Sequence, residues 1–185
     1  MVTGLEAAAG TLELVPAPDR PDLLAPAVVE ALTDLPDDVA RSCGVAPIDP
    51  ELADTAAFCA AYSSPPELSA NCVVVTGSRS GEQRFAGCVV LATTRADVNG
   101  VVRKRIDVRK ASFAPTDLAV ELTGMAYGGI TPFGLPSGWP VLVDPAVLAA
   151  PAVVVGSGIR GSKLVVPGSV LGLLPGAEPT EGLGR

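Results

Sequence analysis

Apolar positions change their period several times along the chain, and each change marks an expected element. Thr11–Ala17 alternates as a strand does, and Leu23–Leu35 repeats at helical spacing after Pro21-Asp22, so the chain opens β then α. A further strand is expected over Ala40–Ile48. Pro50-Glu51 begins a helix that runs to Tyr62 with Ala, Phe and Cys on one side, and Ser63-Ser64-Pro65-Pro66 ends it. Cys72–Thr76 and Arg84–Thr93 are apolar runs on either side of the turn-rich Gly77–Gln83, which reads as a hairpin. Asp97 suits the N-cap of a helix over Val98–Asp107, Val108–Phe113 reads as a strand, and Pro115 opens a helix that stops at Thr123-Gly124.

Beyond that point the pattern loosens. Tyr127–Pro140 is rich in Gly and Pro, cannot be regular helix, and is long for a connection, a property often tied to function. Val141–Val143, Ala152–Val155 and Lys163–Val166 are three short β runs, joined by a small helix at Pro145–Ala149 and by the glycine loop Gly156–Ser162. Pro167–Leu174 reads as a last helix, and Gly182–Arg185 is expected to fray. Helices scattered between short, partly hairpin-linked strands predict an α/β (α+β) fold with a mixed, partly barrel-like sheet. One domain over residues 1–185 is expected, because no low-complexity block divides the chain.

Composition narrows the chemistry. A chain that is 48% hydrophobic and 18% charged can bury enough apolar surface to offset chain entropy. Its most apolar stretch, Val141–Val155, is interrupted by Asp144, Pro145 and Pro151 and is too short, so no membrane-spanning helix is expected. Met1–Gly10 lacks the basic start of a secretory signal, and a cytoplasmic location is the expectation. Cys43, Cys59, Cys72 and Cys88 sit singly in apolar surroundings, as buried thiols do in a reducing compartment; Cys72 and Cys88 flank the hairpin and could face each other. The net charge of −7 is unevenly placed: residues 1–70 hold twelve acids against Arg20 and Arg41, whereas residues 79–163 hold ten basic residues against six acids. The second half can present a basic face, or Arg103, Lys104, Arg105, Arg109 and Lys110 can simply solvate a helix and the strand after it.

The chain has no histidine, which excludes Ser-His-Asp and Cys-His catalysis and, with dispersed cysteines, the usual zinc sites. Asp34, Asp37 and Asp38 read as a solvated helix end rather than a metal cluster, so neither metal nor cofactor is expected. Gly156-Ser157-Gly158-Ile159-Arg160-Gly161 matches G-x-G-x-x-G, but Ser162–Val166 alternates as a strand where a dinucleotide site needs a helix N-terminus. Bare backbone has another use: N–H groups in glycine turns can converge on an anionic or carbonyl oxygen with no side chain in the way. The loops Tyr127–Pro136 and Gly156–Gly161 are either tight structural turns or two walls of one pocket.

Leu122-Thr123-Gly124, then Gly128-Gly129-Ile130-Thr131-Pro132-Phe133-Gly134-Leu135-Pro136, then Val141-Leu142-Val143-Asp144, then Gly156-Ser157-Gly158 together resemble, in order and spacing, the YbaK and prolyl-tRNA synthetase-associated editing domains. The family-like region covers about residues 65–180, and residues 1–64 diverge from it. The resemblance implies a YbaK-like fold and hydrolysis of the ester joining a wrong, small amino acid to tRNA, typically tRNA(Pro). A synthetase pocket separates small side chains by only ~1–3 kcal/mol per methylene, so a second hydrolytic site is required. An activated ester needs no covalent nucleophile, only oriented water and N–H dipoles at the developing oxyanion, which suits a chain without histidine.

By this resemblance Asn71 and Gly129 stand at the reacting bond. Thr123, Gly128, Thr131, Pro132, Phe133, Gly156, Ser157 and Gly158 would shape the aminoacyl pocket, while Arg79, Arg103, Lys110, Arg160 and Lys163 would hold the tRNA acceptor end. Prolyl-tRNA synthetase or another translation factor is the expected protein partner. Family members carry a lysine at the start of the first hairpin strand in a K-T-L-V-like pattern. Here Ser69-Ala70-Asn71-Cys72-Val73-Val74-Val75 puts Asn71 in that place, which can hydrogen-bond but brings no charge. Three readings stay open: Asn71 positions a water or carbonyl, a cation such as Lys110, Arg160 or Lys163 arrives from elsewhere, or the site binds an aminoacyl end or small molecule without turning it over.

Overall fold

The computed structural model describes residues 4–185. The first third carries helices α1 (Glu6–Ala9), α2 (Pro26–Thr33), α3 (Asp37–Arg41) and α4 (Thr55–Tyr62), with strands β1 (Val15–Pro16) and β2 (Gly44–Pro47) between them. The strand expected over Thr11–Ala17 shrinks to two residues because Thr11 N–H donates to Tyr62 O and Leu12 N–H to Ala9 O in the turn after α1, not to a neighbouring strand. The helix expected from Leu23 begins only at Pro26, since a residue before proline is pushed to extended backbone, and Ala25 adopts it. The expected strand Ala40–Ile48 is instead the end of α3 followed by β2, and the expected helix from Pro50 divides into a 3-10 turn, Pro50–Leu52, and α4.

The hairpin is longer than its apolar runs: β3 (Ala70–Arg79) and β4 (Glu82–Leu91) pair along their full length. Ser80 and Gly81 both have positive φ (53° and 84°), the conformation that matches the twist of a two-residue hairpin. Asp97 caps the next segment through Gly100 N–H, but Val98–Val102 forms a single π turn before the short α5 (Arg103–Arg105). Then come β5 (Ala111–Phe113), α6 (Thr116–Thr123), β6 (Val141–Val143), α7 (Pro145–Ala149), β7 (Val153–Gly156), β8 (Ser162–Val166), a 3-10 helix over Gly168–Leu173 and β9 (Ala177–Pro179), a strand not anticipated from the pattern.

The strands form two open sheets, and no barrel closes among the described residues. One has the order β1-β2-β8-β7 and is antiparallel throughout; the other, β5-β3-β4-β6-β9, is mixed, with β6 parallel to both neighbours. A single bridge between Ser69 and Val154 brings the start of β3 against β7.

Strand periodicity builds three packed regions. Val153, Val155, Leu164 and Val166 point inward from the four-stranded sheet onto Val89, Val141 and Val143, with α2 closing the layer through Val28 and Leu32. The opposite residues, Val154 and Val165, pack on Leu5 and Phe58. On the outer face of the other sheet, Val75, Cys88 and Val90 meet Val98, Val102, Ile106 and Leu183. Cys72 lies opposite Val89 and Cys88 opposite Val73, so the two thiols sit on different faces and all four cysteines are free. Gly182–Arg185 does not fray: Leu183 is fully buried, Arg185 exchanges two backbone hydrogen bonds with Arg95, and Gly184 N–H donates to Asp144 Oδ2. No helix among the described residues is long and apolar enough to cross a membrane.

Candidate functional site

Where the two sheets abut, a cavity of about 410 Å³ opens between the start of α4, the start of β3, the end of β5, the Tyr127–Ile130 loop and the ends of β7 and β8. That volume is within the ~300–1,000 Å³ range of small-ligand sites. Asp54, Thr55, Asn71, Thr116, Gly128, Gly156 and Lys163 are on its wall, with Phe113 and Tyr127 beside them.

The two glycine loops clasp each other through backbone. Gly158 N–H donates to Gly129 O at 2.8 Å and Ala126 N–H to Gly158 O at 2.8 Å. A Cβ on Gly156 would lie 2.3 Å from Gly129 O, and one on Gly129 would lie 2.6 Å from Ile159 O, so neither position accepts a side chain without moving main chain. Gly128, at φ +78°, and Gly156 then present bare backbone to the cavity.

Lys163 is the buried cation of this wall. It follows Ser162 on β8, pairs with Gly156, and shares the outward parity of Val165, which turns it toward Phe58 rather than the inter-sheet core. Its Nζ donates to Ala53 O at 2.8 Å and stands 5.5 Å from the centre of the Phe58 ring. Burial pulls its pKa below the ordinary lysine value, with Asp54 opposing that shift and Arg160 adding to it. Asp54 precedes α4 without capping it and forms no ion pair among the described residues, so its carboxylate and the Lys163 ammonium stay separate.

Asn71 is held from the same segment. Thr55 Oγ1 donates to Asn71 Oδ1 at 2.8 Å, which leaves the amide N–H groups for the cavity. Ala53 and Thr55, two residues apart, thus fix Lys163 and Asn71 on one wall. Cys72 also lines the cavity, but burial drives its thiol pKa strongly upward; Cys43 and Cys88 are pushed up to about 12 for the same reason. None of these three is a ready nucleophile.

The other expected site residues divide into distinct places. Ser157 is fully buried and bonds Ser162, holding the glycine turn rather than facing the cavity. Thr123 caps the end of α6 through Ala119 O and Met125 N–H. Phe133 is fully buried in the main core, and Thr131 is buried with its hydroxyl unpartnered. Pro132 borders a separate groove of about 800 Å³ whose walls include Glu30, Asp34 and Glu178, where the single cation, Arg105, pairs with Glu178. Gly158 packs on Ala25 and Val28. Arg160 latches the glycine loops by donating to Tyr127 O and Pro50 O.

Arg79 pairs with Asp107, and Arg103 donates to Asn99 O; with Lys110 they cluster at the far end of the five-stranded sheet, away from Asn71 at the opposite end of β3. Asp54 and Thr55 were not anticipated as site residues, because a helix start after Leu52-Ala53 carries no signal that it will face a pocket built from residues 71–163. Trp139, a residue that could have filled the pocket, stacks on Phe85 at 4.8 Å instead.

A two-sheet α/β frame with a small pocket, bare backbone on one side and a lysine on the other, defines a compact ligand-handling domain. Solved structures share the frame. One is the crystal structure of a candidate trans-editing enzyme for prolyl-tRNA synthetase, with a TM-score of 0.69 at 19% identity over 88% of this chain and 98% of the other. A scaffold protein carrying a designed epitope graft gives 0.68 at 18% identity, covering 88% of this chain and 99% of the other. A protein described only as hypothetical gives 0.66 at 18% identity, over 78% and 95%. The profile of the aminoacyl-tRNA editing domain family matches residues 49–171, well over half of the chain, and the chain belongs to that YbaK-type family. The match begins upstream of residue 65 and therefore takes in α4 and the Ala53–Thr55 segment of the site. The chain matches no curated protein.

Proposed function

We propose that this protein is a trans-editing deacylase that hydrolyses the ester of tRNA(Pro) mischarged with a small amino acid. Membership in the editing family supports the reaction class, and the likeness to a candidate trans-editing enzyme for prolyl-tRNA synthetase supports action apart from a synthetase. The observation that carries the reading is the Lys163 ammonium, which enters from β8 the same cavity in which Asn71 stands at the position of the family lysine.

In this reading the aminoacyl group enters the cavity with its carbonyl oxygen toward Lys163 Nζ and the Asn71 amide N–H, and its α-ammonium toward Asp54. Water adds to the carbonyl carbon, and the oxyanion that forms is held by the ammonium and the amide in a site screened from solvent, where such donors act most strongly. The carbon–oxygen bond to the ribose then breaks, the proton shed by the attacking water passes to the departing ribose oxygen, and free amino acid leaves with an intact tRNA 3′ end. Gly128 and Gly156 leave their part of the wall without side chains, so the backbone of both loops borders the aminoacyl group.

The test is incubation with tRNA(Pro) carrying alanine, cysteine, serine or threonine. Release of at least one amino acid faster than in buffer is expected; no release above buffer for any of the four refutes the proposal. Asn71 in place of a lysine also supports a second reading, a module that binds aminoacyl ends without turnover. It predicts saturable binding of the same tRNAs with no release.

A further inference from the structure

Two aromatic rings are left outside every core, and both are at the rim of the same cavity. Among the described residues five large apolar side chains are substantially exposed, and the two aromatic ones, Phe113 at 58% and Tyr127 at 60%, are the ones that line it. The remaining aromatic rings are placed: Phe58 and Phe133 are buried, Tyr62 packs on Phe58, and Phe85 stacks on Trp139. Neither rim ring has a structural task of its own. Tyr127 contributes to the fold through its backbone carbonyl, which accepts from Arg160, and Phe113 ends an edge strand whose outer side is unpaired.

Charge gives the rim a direction. Arg109 and Lys110 immediately precede β5; both are exposed and form no ion pair among the described residues. Along an extended strand at ~3.3 Å per residue, Lys110 lies about 10 Å from Phe113. A basic edge that leads to two exposed rings and then to a small pocket is the arrangement that tracks a single-stranded nucleic acid: cations for the backbone, π faces for unpaired bases. A pocket of about 410 Å³ takes a small acyl group and the sugar that carries it, and the two rings stand at the rim where the attached base would lie.

We infer that Phe113 and Tyr127 form a stacking platform for the unpaired 3′-terminal base of an RNA strand whose preceding phosphates run along Arg109 and Lys110. The inference rests on the deacylase reading only for what enters the pocket; base stacking itself is read by binding. The experiment uses the full chain and a short single-stranded RNA ending in adenosine, with the same RNA ending in an abasic ribose as its comparison, measured by fluorescence anisotropy.

The native protein is expected to prefer the adenosine-ended RNA. The double variant Phe113→Ala, Tyr127→Ala is expected to lose that preference, weakening binding by about 5- to 150-fold, the equivalent of ~1–3 kcal/mol per stacked base, and to leave the abasic RNA unaffected. Because both side chains are exposed, unchanged circular dichroism and melting temperature are expected in the variant. Arg109→Ser with Lys110→Ser should weaken both RNAs alike and flatten the salt dependence by a slope of about 1.4 for two phosphate contacts.

Equal binding of the two RNAs by the native protein overturns the platform, as does a double variant that keeps the preference. Base-dependent binding without release from mischarged tRNA(Pro) defeats the deacylase reading and leaves the platform standing. Release that is indifferent to the double variant, with equal binding of the two RNAs, does the reverse.

Discussion

Replacing Lys163 by methionine separates its chemical part from its structural one. The substitution keeps the length and much of the volume of the side chain and removes the ammonium. The bond to Ala53 O at 2.8 Å, a charge-assisted one, contributes about 1.5–3 kcal/mol, and the approach to the Phe58 ring at 5.5 Å about 0.5–2 kcal/mol. Against these stands the desolvation of the buried ammonium, several kcal/mol, which the thioether does not incur. The terms nearly cancel, so the melting temperature of Lys163→Met should stay within a few degrees of native.

The rate should not survive so well: loss of one oxyanion donor is expected to slow deacylation by about 10²–10³-fold in a single-turnover assay. The lowered pKa adds a pH signature. In the proposed mechanism Lys163 is protonated when it stabilises the oxyanion, so the enzymatic rate above buffer should fall as pH rises through its depressed pKa. Stability moves the other way. The unfolded chain holds the Lys163 proton more tightly than the folded one, so this group's contribution to stability increases with pH from the folded pKa up to the ordinary value of 10.5, and the methionine variant should lack that increase. A Lys163→Met protein that folds and deacylates at the native rate would refute the reasoning.

Further outcomes follow from the same geometry. Gly156→Ala places a methyl 2.3 Å from Gly129 O and should cost about 1–3 kcal/mol of stability, read by urea denaturation, with deacylation reduced as the loops part. Thr131→Val removes a buried hydroxyl that has no partner and should raise stability by about 1 kcal/mol; a fall of that size would mean that the hydroxyl is satisfied. Leu183→Ala empties a fully buried position in the outer core and should destabilise by about 2–5 kcal/mol, whereas a frayed end would show no effect. Cys72→Ala should leave deacylation unchanged, because a thiol whose pKa is driven up by burial does not act as the nucleophile.

Local rules read from the chain succeeded where the signal and its cause lie close together. Pro115 before α6 with Gly124 after it, the hairpin of β3 and β4, and the short β runs at 141, 153 and 162 follow from backbone limits and period-two burial within a few residues. The order of the glycine motifs was likewise enough to point to the editing family. Tertiary structure decided the rest. β8 pairs with the distant β2 in a sheet whose edge strands, β1 and β7, do not meet, and the chain end was anchored because Leu183 fills a core made by β3 and β4, pairings that no local window contains.

The site divides along the same line. Asn71 was legible because a strand position can be counted from a motif, and the bare glycines because a missing side chain shows in the letters. Lys110, Arg160 and Lys163 were all open as the cation that reaches the site, and only the fold separates them: the Lys163 strand is buried on both faces, so its charge is set against Ala53 O and Phe58. Whether a lysine meets water or a pocket depends on what packs across from it, and that partner lies 110 residues away in sequence.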